Sequence, residues 1–305
     1  MSYAGIDLAA DPRRTGVAVI SSGSPIRVES VIVGADDDDV LHVIDSAEKA
    51  GVDVPVGWPD PFVQLISDHA EHGLTVQSST GPDWRRNLAM RTTDIKVRER
   101  TGRVPLSVST DRIAYPALRW AGIEARLRAE GVDAARDGSG RVCEVYPAAA
   151  LSCWTLPSRG YKGTGSEHRR TEIVDRLSVL FPELSWNGHD QECIHDDNAL
   201  DAVVSALMAR AVATGKAVGP PEGISEIVSR EGLDLAADAV TVVRYRALIF
   251  SARCPTAPAP PPDAPHRPSR ARRVRGRRPP SRTGARSVRR ASATPSRRSR
   301  RSGRP

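Results

Sequence analysis

The chain has 305 residues, is 39% hydrophobic and carries a formal charge of +7, enough length for one large domain or two small ones with a substantial core. The positive charge is local: residues 233–305 hold 19 arginines, no lysine and three acids, a surplus of 16 that exceeds the charge of the whole chain, so residues 1–232 are net negative. No apolar run approaches the roughly 18 residues of a membrane span, which excludes a helical membrane anchor within the sequence.

In chain order, residues 3–9 and 17–21 read as strands joined by the turn Asp11-Pro12-Arg13-Arg14-Thr15-Gly16, and 27–33 continues an antiparallel meander. Asp7 stands between Ile6 and Leu8, an unwelcome place for a carboxylate. Strand alternation puts it on the opposite face, level with the small Gly5. Asp36–Asp39 open an amphipathic helix with apolar Val40, Leu41, Ile44 and Ala47 and a stop at Gly51, its acids lying at the positive end of the dipole. GVDVPV, 51–56, is a short buried strand expected to run parallel to the first, with Asp53 pointing away from Val52 and Val54.

Residues 58–140 are less regular and read as helices near 61–71, 84–100 and 111–130. RVCEVYP, 141–147, is a further strand that Pro147 ends. A glycine-rich loop, SRGYKGTGS (158–166), leads into a helix over 167–181 with Ile173, Leu177 and Leu180 on one face. A loop to about residue 195 precedes 196–215, the clearest helix, whose apolar face holds Ala199, Leu200, Val203, Leu207 and Ala211. After about 232, Pro, Ala, Arg and Ser take over, a composition that cannot bury a core, so 233–305 is expected to be a disordered tail. Two readings of the tail stay open. One is an arginine arm adding non-specific affinity. The other is a shifted reading frame, consistent with the loss of lysine after Lys216 and of acids after Asp263.

Cys143, Cys153, Cys193 and Cys254 show no CxxC spacing and no signal-peptide pattern opens the chain, so reduced thiols in a cytoplasmic protein are expected. His189, Cys193 and His195 fit no common zinc spacing and read as a polar loop.

Three carboxylates, Asp7, Asp53 and Asp201, are each lodged among apolar neighbours. If the strands 3–9 and 51–56 are parallel neighbours, Asp7 and Asp53 face each other, and a final helix laid over the sheet brings in Asp201. Clustered carboxylates repel unless a cation sits between them. Oxygen-only ligands suit Mg²⁺ or Mn²⁺, and two such ions roughly 3.5–4 Å apart can activate water and stabilise a leaving oxygen in phosphodiester cleavage. Each position also has a structural reading as a turn or cap residue, Asp197 as the cap of the last helix included. Glu144, in mid-strand, is a further acid at the rim of the site or a surface charge. Arg91, Asp94 and Arg98, spaced i, i+3, i+7, form an exposed salt-bridged helix face or an arm gripping phosphate. Lys162 is a second candidate phosphate contact, in a loop that lacks the GxxxxGK[ST] order of an ATP-binding P-loop.

A three-strand meander, a helix, a parallel strand and a late acidic helix resemble the ribonuclease H-like fold. The ordered pieces GIDLA, VDVPVGWP (52–59), RTTD (91–94), EVYPAAAL (144–151), YKG (161–163) and NALDAVVSALMAR (198–210) resemble the predicted nuclease family called domain of unknown function 429, over about residues 3–232. The resemblance implies an α/β domain over 1–232. Its mixed five-stranded sheet would be flanked by helices and carry a helical insertion at 58–140. It also implies that Asp7, Asp53 and Asp201 bind Mg²⁺ or Mn²⁺, with Asp7 and Asp53 holding the ion that activates water. In such proteins the last helix tends to begin with an acid three residues before the final Asp. Asn198 stands there, and Asp197, on nearly the same face, is the candidate substitute.

The expected activity is metal-dependent hydrolysis of nucleic-acid phosphodiesters, with nucleic acid as the partner, contacted by Arg91, Arg98 and Lys162. Two other classes stay open. A non-catalytic nucleic-acid-binding module would bind without metal and survive Asp7→Asn. A phosphotransferase of the actin and sugar-kinase type also begins its first hairpin with GID, but needs a second such domain, of which residues 1–232 hold no copy.

Overall fold

The computed structural model describes residues 1–217 and 225–232, and the tail expected over 233–305 lies outside the described residues. Strands β1 (Ser2–Asp7), β2 (Gly16–Ser21) and β3 (Ile26–Val33) form the antiparallel meander, with Asp7 opposite Gly16 and Gly16 opposite Val33. Asp11 tightens the first connection by accepting Arg13 N–H at 3.0 Å, and Pro12 opens a single 3-10 turn. β4 (Lys49–Val52) pairs parallel with β1, and β5 (Val142–Glu144) parallel with β4.

The sheet order is β5-β4-β1-β2-β3-β6, six strands where five are expected from the sequence. The sixth, β6 (Leu184–Ser185), is two residues long and pairs parallel with β3, its approach fixed by Ile26 N–H donating to Glu183 O at 2.8 Å. Two residues carry no legible alternation. β4 also lies earlier than the β-branched run 51–56. Pairing with β1 stops at Val52, and Pro55 has no N–H to extend a ladder. Asp53 therefore stands just past a strand end.

Asp36 starts α1 (Asp37–Ser46) by accepting Asp38 and Asp39 N–H at 3.0 Å each, while Asp39 accepts Asp36 N–H at 3.0 Å, a reciprocal capping box. The irregular region holds α2 (Asp60–Glu71), α3 (Pro82–Ala89), α4 (Thr92–Thr101) and α5 (Ala114–Ala129). The one helix expected over 84–100 is two. Arg91 is extended (ψ 156°), and Asp94 accepts its N–H at 3.0 Å, so a new helix begins there. β5 ends at Glu144, three residues before the Pro147 expected to stop it, and Pro147 instead opens α6 (Pro147–Cys153), where its missing N–H is harmless. Then follow α7 (Glu167–Leu180), α8 (Asp190–His195), α9 (Asp197–Ala213) and α10 (Ser225–Glu231). Together β6 and α8 replace the loop expected up to residue 195.

Alternate strand residues build two cores, making the sheet the middle of three layers. Tyr3, Ala18, Ile20 and Val28 pack with α6, α7 and α9. Ala4, Ile6, Val17, Ala50 and Val52 pack with α1 and α5, through Val40, Ile44, Trp120, Ile123 and Leu127. From Ala199 to Ala209 every residue of α9 is buried, the mark of a helix enclosed on all sides. Its depth depends on two glycines. A Cβ on Gly5 would collide with Ala202 O and Ala206 N, and one on Gly51 would lie 2.6 Å from Ser205 O. Backbone thus rests on backbone where helix crosses strand. No helix among the described residues is long and apolar enough to cross a membrane.

Candidate metal centre

Ile6 pairs with Val52, so the next residues of these two parallel strands, Asp7 and Asp53, stand side by side, and Asp53 N–H donates to Ile6 O at 2.8 Å. Each lies two residues beyond a glycine that faces α9, so both carboxylates turn toward that helix. Asp201, wholly buried, projects from α9 beside Ala202, whose carbonyl touches Gly5. One oxygen from each of Asp7, Asp53 and Asp201 lies within 4.8 Å of the others. Asp7 and Asp53 are partly exposed and form the mouth of the cluster. The structure thus brings together three side chains separated by up to 194 positions in the chain.

Tyr161 donates its hydroxyl to Asp201 Oδ1 at 2.9 Å. Asp201 Oδ2 is buried and accepts no hydrogen bond of proper alignment. Its neighbour is the ammonium of Lys162, 2.6 Å away in an ion pair. Lys162 keeps its stem at the surface, with the side chain 52% exposed, and turns its tip inward. Burial pushes the Asp7 carboxyl well above the usual range. Lys162 opposes that shift, while Asp201, Asp53 and Asp197 add to it. Asp201 is raised as well, chiefly by burial, with Lys162 and Tyr161 working the other way. For Lys162, burial favours the neutral amine, but Asp201, Tyr161, Asp7 and Asp53 outweigh it and hold the ammonium well above its ordinary pKa.

The three carboxylates crowd one another, and the Lys162 ammonium is the cation that meets Asp201. The donor set is all oxygen, one buried oxygen lacks an aligned partner, and the mouth is open to water. These features fit a hard divalent cation such as Mg²⁺ or Mn²⁺, which binds through a few carboxylates and keeps several waters.

Asp197 lies outside the three. Its Oδ1 accepts Gly163 N–H at 2.9 Å, fastening the glycine-rich loop to the start of α9. Nor is Asp197 the helix cap. That role belongs to Asp196, whose Oδ1 accepts from Asn198 N at 2.7 Å and from Asn198 Nδ2 at 2.8 Å. Asn198 is thereby tied into the cap.

Glu144 and Arg91 sit elsewhere, together. Glu144 is in register with Val52, so its side chain points to the α1–α5 face, away from α9. There Arg91, 2% exposed, places Nη2 2.5 Å from Glu144 Oε1 and 2.8 Å from Asp94 Oδ1. Arg91 is buried where the sequence suggests an exposed helix face or a phosphate arm, and its guanidinium pairs with two internal carboxylates. Arg91 also precedes α4, so the i, i+3, i+7 stripe does not form, and Arg98 lies on the exposed side of that helix. The Arg91–Glu144 pair, 53 residues apart, turns a candidate rim acid into a core partner.

Cys193 and His195 belong to α8, His189 precedes it as its cap residue, and the three do not share a partner. Cys193 is buried with its thiol pushed up to about 12 by burial, while His189 Nδ1 meets Glu192 at 2.7 Å and His195 Nδ1 meets Gln191 O at 2.6 Å. Two residues that matter to the centre escape sequence reasoning. Tyr161 shows itself only as part of YKG. Arg170, 1% exposed, donates to Tyr161 O (2.6 Å), Gly163 O (3.0 Å), Ile194 O (2.6 Å) and His195 O (3.1 Å). It clamps the 161–163 loop to the corner before α9. Carbonyl partners leave no trace in sequence, since every residue has one.

A family model described as "Protein of unknown function (DUF429)" matches residues 5–225, a stretch that includes all three clustered carboxylates and the Tyr161–Gly163 loop. No curated protein and no solved structure matches the chain.

Proposed function

We propose that this chain, which belongs to the DUF429 family of proteins of unknown function, is a divalent-metal-dependent nuclease of ribonuclease H-like fold that hydrolyses nucleic-acid phosphodiesters. The observation that carries the reading is the carboxylate cluster: Asp7, Asp53 and Asp201 with oxygens within 4.8 Å of one another at the open end of the sheet. The acids come from the first strand, the end of the fourth and a late helix, which is the placement the ribonuclease H-like resemblance implies.

Asp7, Asp53 and Asp201 would hold Mg²⁺ or Mn²⁺. When bound, the ion lowers the pKa of its water and neutralises charge on the phosphoryl oxygens. The chain's own contribution is placement. Tyr161 holds Asp201 in one rotamer through Oδ1, leaving Oδ2 for the site. Arg170 and Asp197 fix the loop that carries Lys162, and Lys162, on a stem that reaches solvent, is the cation placed to meet a phosphate oxygen. Arg98 is an exposed charge on the α4 surface. Such phosphate contacts set orientation and affinity without reading sequence.

The test is cleavage of single-stranded, duplex and branched nucleic acids by the full chain with Mg²⁺ or Mn²⁺, beside Asp7→Asn. Metal-dependent cleavage that vanishes in Asp7→Asn is expected. If no substrate is cut, or the variant cuts as fast as the parent, the nuclease reading fails. Binding that persists unchanged without metal would instead favour a non-catalytic nucleic-acid-binding protein.

A further inference from the structure

We infer that the Lys162 ammonium is a built-in competitor for the divalent cation: it holds the charge position among Asp7, Asp53 and Asp201 in the metal-free chain, and swings out along the surface when metal enters. The inference rests on the metal-binding reading above and adds to it a device that couples loading of the site to delivery of a phosphate contact.

Three observations carry it. First, Lys162 Nζ is 2.6 Å from Asp201 Oδ2, the buried oxygen that has no aligned hydrogen-bond donor and that a metal would take as ligand. Two cations cannot share that oxygen without strong repulsion. Second, the backbone around Lys162 is held by other residues, whereas its side chain is held at its tip, by the ion pair with Asp201. Arg170 binds the carbonyls of Tyr161 and Gly163 on either side, and Gly163 N–H is bonded to Asp197. With more than half of the side chain exposed, displacement needs the Asp201 ion pair to give way and rotation about the side chain's own bonds, with no movement of the backbone. Third, the same ammonium lies 5.9 Å from the centroid of the Tyr161 ring, within cation–π range. The ring that orients Asp201 therefore also helps to guide the lysine into its inward position.

A simple counter-ion would predict that removing Lys162 harms every property of the site. A competitor predicts opposite signs for two of them. Without Lys162, Asp201 has lost its ion-pair partner, so the metal-free chain is less stable, while divalent metal binds more tightly because the ammonium no longer has to be displaced. A ligand that can enter only the chains whose site is clear binds with an affinity reduced by that fraction, so a lysine facing inward in about nine chains of ten weakens metal binding about tenfold.

The experiment titrates Mn²⁺ into the full chain, Lys162→Met, Lys162→Arg and Asp7→Asn by calorimetry, and records thermal unfolding of each with and without chelator. Lys162→Met is expected to bind Mn²⁺ about tenfold more tightly than the parent, to unfold at lower temperature in chelator, and to gain more from Mn²⁺. Lys162→Arg, which keeps the charge, is expected to bind no more tightly than the parent. Metal binding by Lys162→Met with no binding by the parent would support competition in its strongest form. Equal or weaker affinity in Lys162→Met, with Asp7→Asn abolishing binding, overturns the competitor while leaving the metal centre standing. No Mn²⁺ binding by either the parent or Lys162→Met overturns both. Calorimetry and thermal unfolding are both carried out without nucleic acid, so their outcome is independent of whether the chain cleaves it.

Discussion

At the scale of single residues, Asp7 is held in place against its own electrostatics. Burial and neighbouring acids raise its folded pKa well above the value of about 3.9 expected for an unfolded chain. Between those two values the folded state keeps a proton that the unfolded state has released, so stability falls as pH rises through the window and stays reduced above it. Asp7→Asn removes the charge with little change of shape. In chelator at pH 7 it is expected to unfold at a higher temperature than the parent, with the gap closing as pH is lowered toward 4. Thermal scans across that range decide the point, and a variant less stable than the parent at pH 7 would contradict the crowding described here. Tyr161 acts in the other direction. Tyr161→Phe leaves Asp201 Oδ1 buried without its donor, at a cost of about 1–3 kcal/mol that urea denaturation in chelator would register.

At the scale of elements, the centre depends on how closely one helix lies on two strands. The closeness comes from what Gly5 and Gly51 lack. A methyl group at Gly51 meets Ser205 O at 2.6 Å, and that atom is backbone, which cannot give way as the end of a flexible side chain can. Gly51→Ala is therefore expected to destabilise the chain by about 1–3 kcal/mol, the usual range for overpacking. It would also lift Asp201 from Asp7 and Asp53 and weaken any Mn²⁺-induced gain in unfolding temperature. Gly23→Ala is the control, since a Cβ there meets nothing within 4 Å. Equal behaviour of the two variants would show that the depth of α9 is set by something else. Capping acts at this scale too. Asp36 and Asp196 start their helices through their own carboxylates, whereas Arg91 relies on Asp94 three residues on, and that difference divides the helix that the sequence pattern presents as continuous.

At the scale of the molecule, one late segment ties together parts that the sheet does not reach. Glu231, at the end of α10, accepts Asp60 N–H at 3.1 Å and Thr92 N–H at 2.7 Å, the starts of α2 and α4, while Arg91 donates to its carbonyl at 3.0 Å. A chain ending at residue 224 is expected to lose about 1 kcal/mol for each of the two caps, whereas one ending at 232 keeps them, and chemical denaturation of the two would show the difference. What the sequence by itself determined is the part written in local periodicity. The meander, the β1–β4 pairing that aligns Asp7 with Asp53, the long buried α9 and the meeting of three acids all follow from alternation, helical spacing and order along the chain. The two-residue β6 and the division at Arg91 do not, because their hydrogen bonds are made with distant backbone or fixed by a single side chain, and the seven-residue α6 is too short to display a helical period. Only the tertiary structure decided where the other charges went. Glu144 and Arg91 neutralise each other in the core, Asp197 secures a loop, and Lys162 enters the centre. The physical reason is that a buried charge is stable only beside its partner, and which partner it meets depends on the packing of whole elements, a quantity that no stretch of neighbouring residues contains.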